Sequence, residues 1–94
     1  MKQFKYYIDA GHGWVAVKRK FLNSILNADL ISPYSHQKGG TVYLEEDADL
    51  DRFVQALNSR GMMRGVDYDF IVKHHIDGRS PIRSYSSYRP EVAQ

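Results

Sequence analysis

The chain contains no cysteine. That excludes a disulfide framework, a thiolate nucleophile and every cysteine-ligated zinc site, and it suits a reducing cytoplasm, the compartment expected here. Long hydrophobic runs are also missing. The longest unbroken apolar stretch, Trp14-Val15-Ala16-Val17, is four residues, far below the ~20 of a membrane-spanning helix. Met1-Lys2-Gln3-Phe4-Lys5-Tyr6-Tyr7 has charge but no apolar signal-peptide core, so neither export nor a membrane partner is expected. Proline and glycine are scarce, at three and seven of 94 residues, which argues against a disordered chain. No P-loop or longer glycine fingerprint for phosphates occurs. The acidic residues lack the glycine at position six and the glutamate at position twelve of a calcium loop.

What is present is a chain long enough for one hydrophobic core and no more, read as a single domain over 1–94 with a mobile tail at 86–94. Apolar residues make up 43% and charged residues 26%, with a net charge of +2. The signs are segregated. Residues 45–51 hold five acids and no base, whereas the stretches on either side are basic. Seven tyrosines, four phenylalanines and one tryptophan are more rings than so small a core can hide, so part of the aromatic set belongs on the surface, where Tyr, Trp and Arg favour partners.

Phe4–Asp9 is aromatic and β-branched, and Ala10-Gly11-His12-Gly13 offers a tight reversal into a second strand, Trp14–Val17. Phe21, Leu22, Ile25 and Leu26 then share one helical stripe. Residues 31–40, with Pro33, Ser35, Gly39 and Gly40, read as a loop long enough to bind something. Thr41–Glu45 alternates as a half-buried strand, and Asp47 or Asp49 caps a helix with Leu50, Phe53, Val54 and Leu57 on one face and Gly61 past its end. Tyr68–Ile76 alternates again, with His74 on its apolar face, and a last strand is placed at Ile82–Tyr85 after the Asp77-Gly78 turn. The order β-β-α-β-α-β-β predicts an α/β (α+β) fold of two layers, a mixed four- to five-stranded sheet with both helices on one face.

Lys18, Arg19, Lys20, Arg79 and Arg83, with Arg89 and the aromatic Tyr85 and Tyr88, form the most suggestive set, because cations contact phosphates and tyrosines stack on bases. Tyr34, His36 and Lys38 in the 31–40 loop and Tyr43 in the following strand complete the candidate binding residues. No catalytic residue, metal ligand or cofactor is assigned. His74 and His75 are adjacent in a strand, point to opposite faces and cannot share a metal. His12 between two glycines is read as a turn residue. The five acids at 45–51 are read as capping and solvating the second helix.

Three stretches, Asp9-Ala10-Gly11-His12-Gly13-Trp14 leading to Lys18-Arg19-Lys20, Thr41–Asp47, and Arg79 with Arg83-Ser84-Tyr85, together resemble a family of small proteins of bacteriophages and mobile elements. The resemblance covers most of the chain and carries over no residue roles. It implies a non-enzymatic accessory protein that binds and inhibits a host factor, for instance a defence system such as a CRISPR effector or cyclic-nucleotide signalling, in the host cytoplasm. A host protein is then the expected partner, and a dimer is compatible with this reading. Two other functions fit the residues: a nucleic-acid or nucleotide binder using the basic and tyrosine residues, and a small nuclease or phosphoesterase pairing His12 with His74 or His75.

Overall fold

The computed structural model describes residues 1–75 and 78–90. Strands β1 (Lys2–Ile8) and β2 (Gly13–Lys18) form the expected hairpin, followed by helix α1 (Arg19–Ile25) and a 3₁₀ turn at Ala28–Leu30. Then come β3 (His36–Lys38), β4 (Thr41–Glu45), helix α2 (Leu50–Ser59), β5 (Tyr68–His74), a 3₁₀ turn at Pro81–Ser84 and β6 (Ser86–Ser87). The fold is α+β, a six-stranded mixed sheet ordered β5-β1-β2-β4-β3-β6. All pairings are antiparallel except β1 with β5. Among the described residues, no helix is long and apolar enough to cross a membrane.

Two differences from expectation separate this sheet from the four to five strands read from the sequence, the first adding a strand and the second moving one. The 31–40 loop contains β3, which folds back on β4 around Gly39, whose φ of 58° suits a residue without Cβ. Ile82–Tyr85 is not a strand: Ser80 accepts a hydrogen bond from Ile82 N–H at 3.2 Å, Pro81 starts a 3₁₀ turn, and the chain pairs with β3 only at Ser86–Ser87. The segment read as a mobile tail thus begins with β6 and the buried Tyr88. Ile76, Asp77 and residues 91–94 lie outside the described residues.

One sheet face is the core. Phe4, Val15, Val17, Val42, Leu44 and Tyr68 from the strands meet Leu22 of α1 and Phe53 and Leu57 of α2. The helix layer does not reach the end of β5, so Val72 and His74, alternating onto this same face, are exposed; His74 is therefore not the partly buried residue its pattern suggested. Helix α2 ends as expected. Gly61 at φ 78° follows Arg60, and Met62 N–H returns to the Leu57 carbonyl at 3.1 Å.

Glycine at position 13 is needed for room. The hairpin turn is shaped by Asp9, whose carboxylate accepts from Gly11 N–H and His12 N–H, both at 3.0 Å, and neither Gly11 nor Gly13 has positive φ. A Cβ on Gly13 would lie 2.8 Å from Tyr6 Cε1 and 3.1 Å from Glu46 Cδ. Tyr6 donates its hydroxyl proton to Glu46, and burial, reinforced by that carboxylate, pushes the Tyr6 hydroxyl up to about 12. Gly13→Ala is expected to displace the ring and to cost about 1–3 kcal/mol in urea denaturation.

Candidate nucleic-acid interface

Cross-strand partners share a face, so the pairing register shows what the face away from the helices displays. Tyr7 lies opposite Trp14, and Trp14 opposite Glu45; Lys5 lies opposite Ala16, Ala16 opposite Tyr43, and Tyr43 opposite His36. One row further on, Lys18 lies opposite Thr41 and Thr41 opposite Lys38, while Lys73 of β5 sits beside Tyr7.

Aromatic rings cross this open face. The rings of His75 and Tyr7 are 5.3 Å apart, Tyr7 and Tyr43 6.3 Å, and Tyr43 and Tyr85 5.2 Å. Ala16, lying between Tyr7 and Tyr43 in the sheet, is small enough to let the rings approach. Burial raises the Tyr43 pKa, which keeps its hydroxyl a neutral donor. Lys5, Lys18, Lys38 and Lys73 are exposed around the rings, and none forms a salt bridge among the described residues. A shallow groove of about 390 Å³ runs over Lys5, Tyr7, Ala16, Lys18, Thr41 and Tyr43.

At the Trp14 end the chain crosses the open face on its way from β5 to β6, and there it roofs a second cleft of about 550 Å³. The crossing is pinned to the hairpin by Asp9. This carboxylate, with a fully buried side chain, accepts from Ser80 N–H at 2.8 Å and from Arg83 Nε and Nη2, both at 2.7 Å, in addition to the two turn amides. Arg83, seconded by the amide donors, holds the Asp9 carboxyl well below the usual carboxylate range, and Asp9 in turn raises the guanidinium. Arg83 lies over the indole of Trp14 at 5.8 Å. Trp14 is buried, with an Nε1–H that has no protein partner among the described residues.

Two imidazoles flank that indole, His12 at 5.8 Å and His36 at 6.1 Å between ring centroids. His12 Nδ1 is 3.3 Å from Glu45 Oε2, while Glu45 Oε1 accepts from Asp47 N–H at 2.7 Å and Ala48 N–H at 2.9 Å. His36 Nδ1 is 3.0 Å from the Tyr85 carbonyl oxygen. A carbonyl or a carboxylate accepts, so both Nδ1 atoms carry the hydrogen, and Nε2 is the nitrogen of each ring left to face a ligand. Arg79, exposed on the rim, has no ion pair or hydrogen bond among the described residues; Tyr34, 73% exposed, completes the opening.

The candidate residues therefore divide. Tyr34, His36, Arg79 and Arg83 line the cleft; Lys18, Lys38, Tyr43 and Tyr85 lie on the adjoining face. Arg19 is occupied within the fold, donating to Gln37 Oε1 at 2.5 Å and to the Arg89 carbonyl at 3.2 Å and covering the Tyr88 ring. Lys20 belongs to α1, in the layer on the opposite side of the sheet. Tyr88 is 2% exposed and bonded to the Ala28 carbonyl, so it offers no surface for stacking. His74 and His75 are not in the cleft: the residue gathered with His12 is His36. The acidic run is more than helix solvation, since Glu45 fixes His12, Glu46 holds Tyr6, and the buried Asp49 bonds Ser32 and Ser35 to anchor the loop. Trp14 and Glu45 were not singled out as site residues, although the alternation of β4 already separated Glu45 from Val42 and Leu44. Among the described residues, no three His, Asp or Glu side chains converge as a metal site.

Comparison of the chain with protein-family models, curated proteins and solved structures finds no match in any of the three.

Proposed function

We propose that this protein binds single-stranded nucleic acid along the open face of its sheet. The observation that carries the reading is the row of Tyr7, Tyr43 and Tyr85 bordered by Lys5, Lys18, Lys38 and Lys73. Aromatic rings stack on any base, and lysines neutralise the phosphate backbone. Asp69 at the β5 edge and Glu45 and Asp47 at the cleft are acids of this face, set against Lys5, Lys18, Lys38, Lys73 and Arg79, so its balance of charge complements a polyanion. A duplex keeps its bases stacked internally and gains nothing from the tyrosines.

The test is fluorescence anisotropy of a labelled single-stranded oligonucleotide over a salt series. Log affinity is expected to fall linearly with log salt, by about 0.7 for each phosphate neutralised, and Lys18→Gln to flatten the slope by about that amount. Tyr43→Ala is expected to weaken binding by about fivefold to a hundredfold at every salt concentration, the worth of one stacked base. Binding that is indifferent to salt and to Tyr43 sinks the proposal.

A second reading, inhibition of a host protein, draws on the resemblance to phage proteins and on Leu30 and Tyr34, which are 51% and 73% exposed. Two exposed apolar side chains are a small anchor for a protein partner, and this reading ranks below the first. A pulldown from host lysate that yields a stoichiometric protein surviving high salt, with no nucleic acid, reverses the order.

A further inference from the structure

We infer that the cleft at the Trp14 end of the open face cleaves RNA by general acid–base catalysis, with His36 as the base and His12 as the acid. The inference rests on the nucleic-acid reading, because the groove that would hold the strand continues into the cleft along the same sheet face: Tyr43 is the cross-strand neighbour of His36, and Tyr7 that of Trp14. The cleft gathers what phosphodiester cleavage requires. Each imidazole has its Nδ1–H committed to a fixed acceptor, so each ring is oriented and has Nε2 as its working atom. The acceptors differ in charge. His12 Nδ1 faces a carboxylate oxygen of Glu45, whereas His36 Nδ1 faces the neutral backbone carbonyl of Tyr85. Two imidazoles with unlike partners on either side of one cleft can serve as a complementary acid and base pair. The other charged groups of the cleft are Asp47, Arg79 and Arg83. Arg83 is held by Asp9, and Arg79 is the cation available to a phosphate.

In the proposed step, the ribose 2′-oxygen forms a bond to phosphorus while its proton passes to His36 Nε2. The bond from phosphorus to the 5′-oxygen breaks, and that oxygen takes the proton from His12 Nε2. The products are a 2′,3′-cyclic phosphate and a 5′-hydroxyl. No electrons are transferred and no co-reactant is consumed. Water then opens the cyclic phosphate with the two histidines exchanging roles, which restores both protonation states. The substrate class follows from the chemistry: RNA is cut, and DNA, lacking the 2′-hydroxyl, is bound and left intact.

The experiment incubates the protein with a labelled single-stranded RNA of mixed sequence and with its DNA counterpart, following binding by anisotropy and cleavage by gel, and identifies the ends by mass. RNA fragments ending in 2′,3′-cyclic phosphate, converting with time to 3′-phosphate, an intact DNA and a bell-shaped pH–rate profile are expected. His12→Gln and His36→Gln, each checked for folding by circular dichroism, are expected to slow cutting of the bound RNA by about 10²–10⁴-fold. His74→Ala, on the far edge strand, is expected to cut normally. RNA that binds and stays whole overturns the cleavage inference and leaves the binding proposal standing; RNA that does not bind overturns the binding proposal itself. Cutting that survives in both glutamine variants, or that leaves 5′-phosphate ends in place of a 2′,3′-cyclic phosphate and the 3′-phosphate it hydrolyses to, assigns the activity elsewhere and also overturns the inference.

Discussion

Asp9→Ala is expected to lower the melting temperature by roughly 15 °C or more, because one side chain joins two distant parts of the fold. Its two oxygens accept from the amides of Gly11, His12 and Ser80 and from two nitrogens of Arg83. Removing it leaves three amides and a guanidinium without their acceptor, which costs more than the hydrogen bonds contribute net. Arg83→Lys is the milder counterpart, since an ammonium keeps the charge but not the paired geometry. Acid should have a related effect. The folded carboxyl titrates below its unfolded value of about 3.9, so its stabilisation is complete above roughly pH 5 and is lost progressively as pH falls toward the folded pKa. Thermal melts of the parent chain and the variant between pH 7 and pH 2 check this: the two melting temperatures should converge in acid. A constant difference would show that Asp9 acts by packing alone.

Phe53→Ala is expected to be the second large loss, about 3–5 kcal/mol in urea denaturation. The ring is fully buried and meets Phe4 edge-on at 5.2 Å and Phe21 at 6.4 Å, and Phe4 in turn packs on Tyr68 and Phe70. These rings let a 94-residue chain exclude water with few side chains, each contributing more apolar area than an aliphatic one. Because the cluster lies beneath the sheet and the tyrosine row above it, Phe53→Leu should restore most of the stability, and nucleic-acid affinity measured well below the melting temperature should change little in either variant. Loss of affinity in a folded Phe53→Leu protein would show that the layers are coupled.

The parts of this fold that could be read from the chain are those made by neighbours. The hairpin, α2 with its 50, 53, 54, 57 stripe and the alternation of β4 each follow from contacts a few residues apart. Strand β3 escaped because three residues have too short a period to register, and Gly39 and Gly40 signal only a turn. The placement of His74 failed for a related reason, since alternation tells which face a side chain takes but not how far the covering helices extend. The site is less legible still. His12, His36, Glu45 and Arg83 come together only through the strand order β1-β2-β4-β3 and the crossing of the chain over Trp14. A local pattern identified Tyr43, Tyr85 and Arg79 as candidates by residue type. It had no means of showing that the basic triplet at 18–20 would be split between sheet face, fold interior and helix layer.

The crossing segment has a bearing on how the protein is made. Arg83, Tyr85 and Tyr88 close the cleft, brace His36 and seal the core, and they are among the last described residues to leave the ribosome. While the preceding strands and helices are already able to pair, the emerging chain has its tyrosines and lysines on display but no roof over Trp14. A translation product stopped anywhere before residue 83 therefore lacks the clasp on Asp9 and the backbone acceptor that orients His36, and the cleft of a nascent chain stays unroofed until synthesis has passed Tyr85.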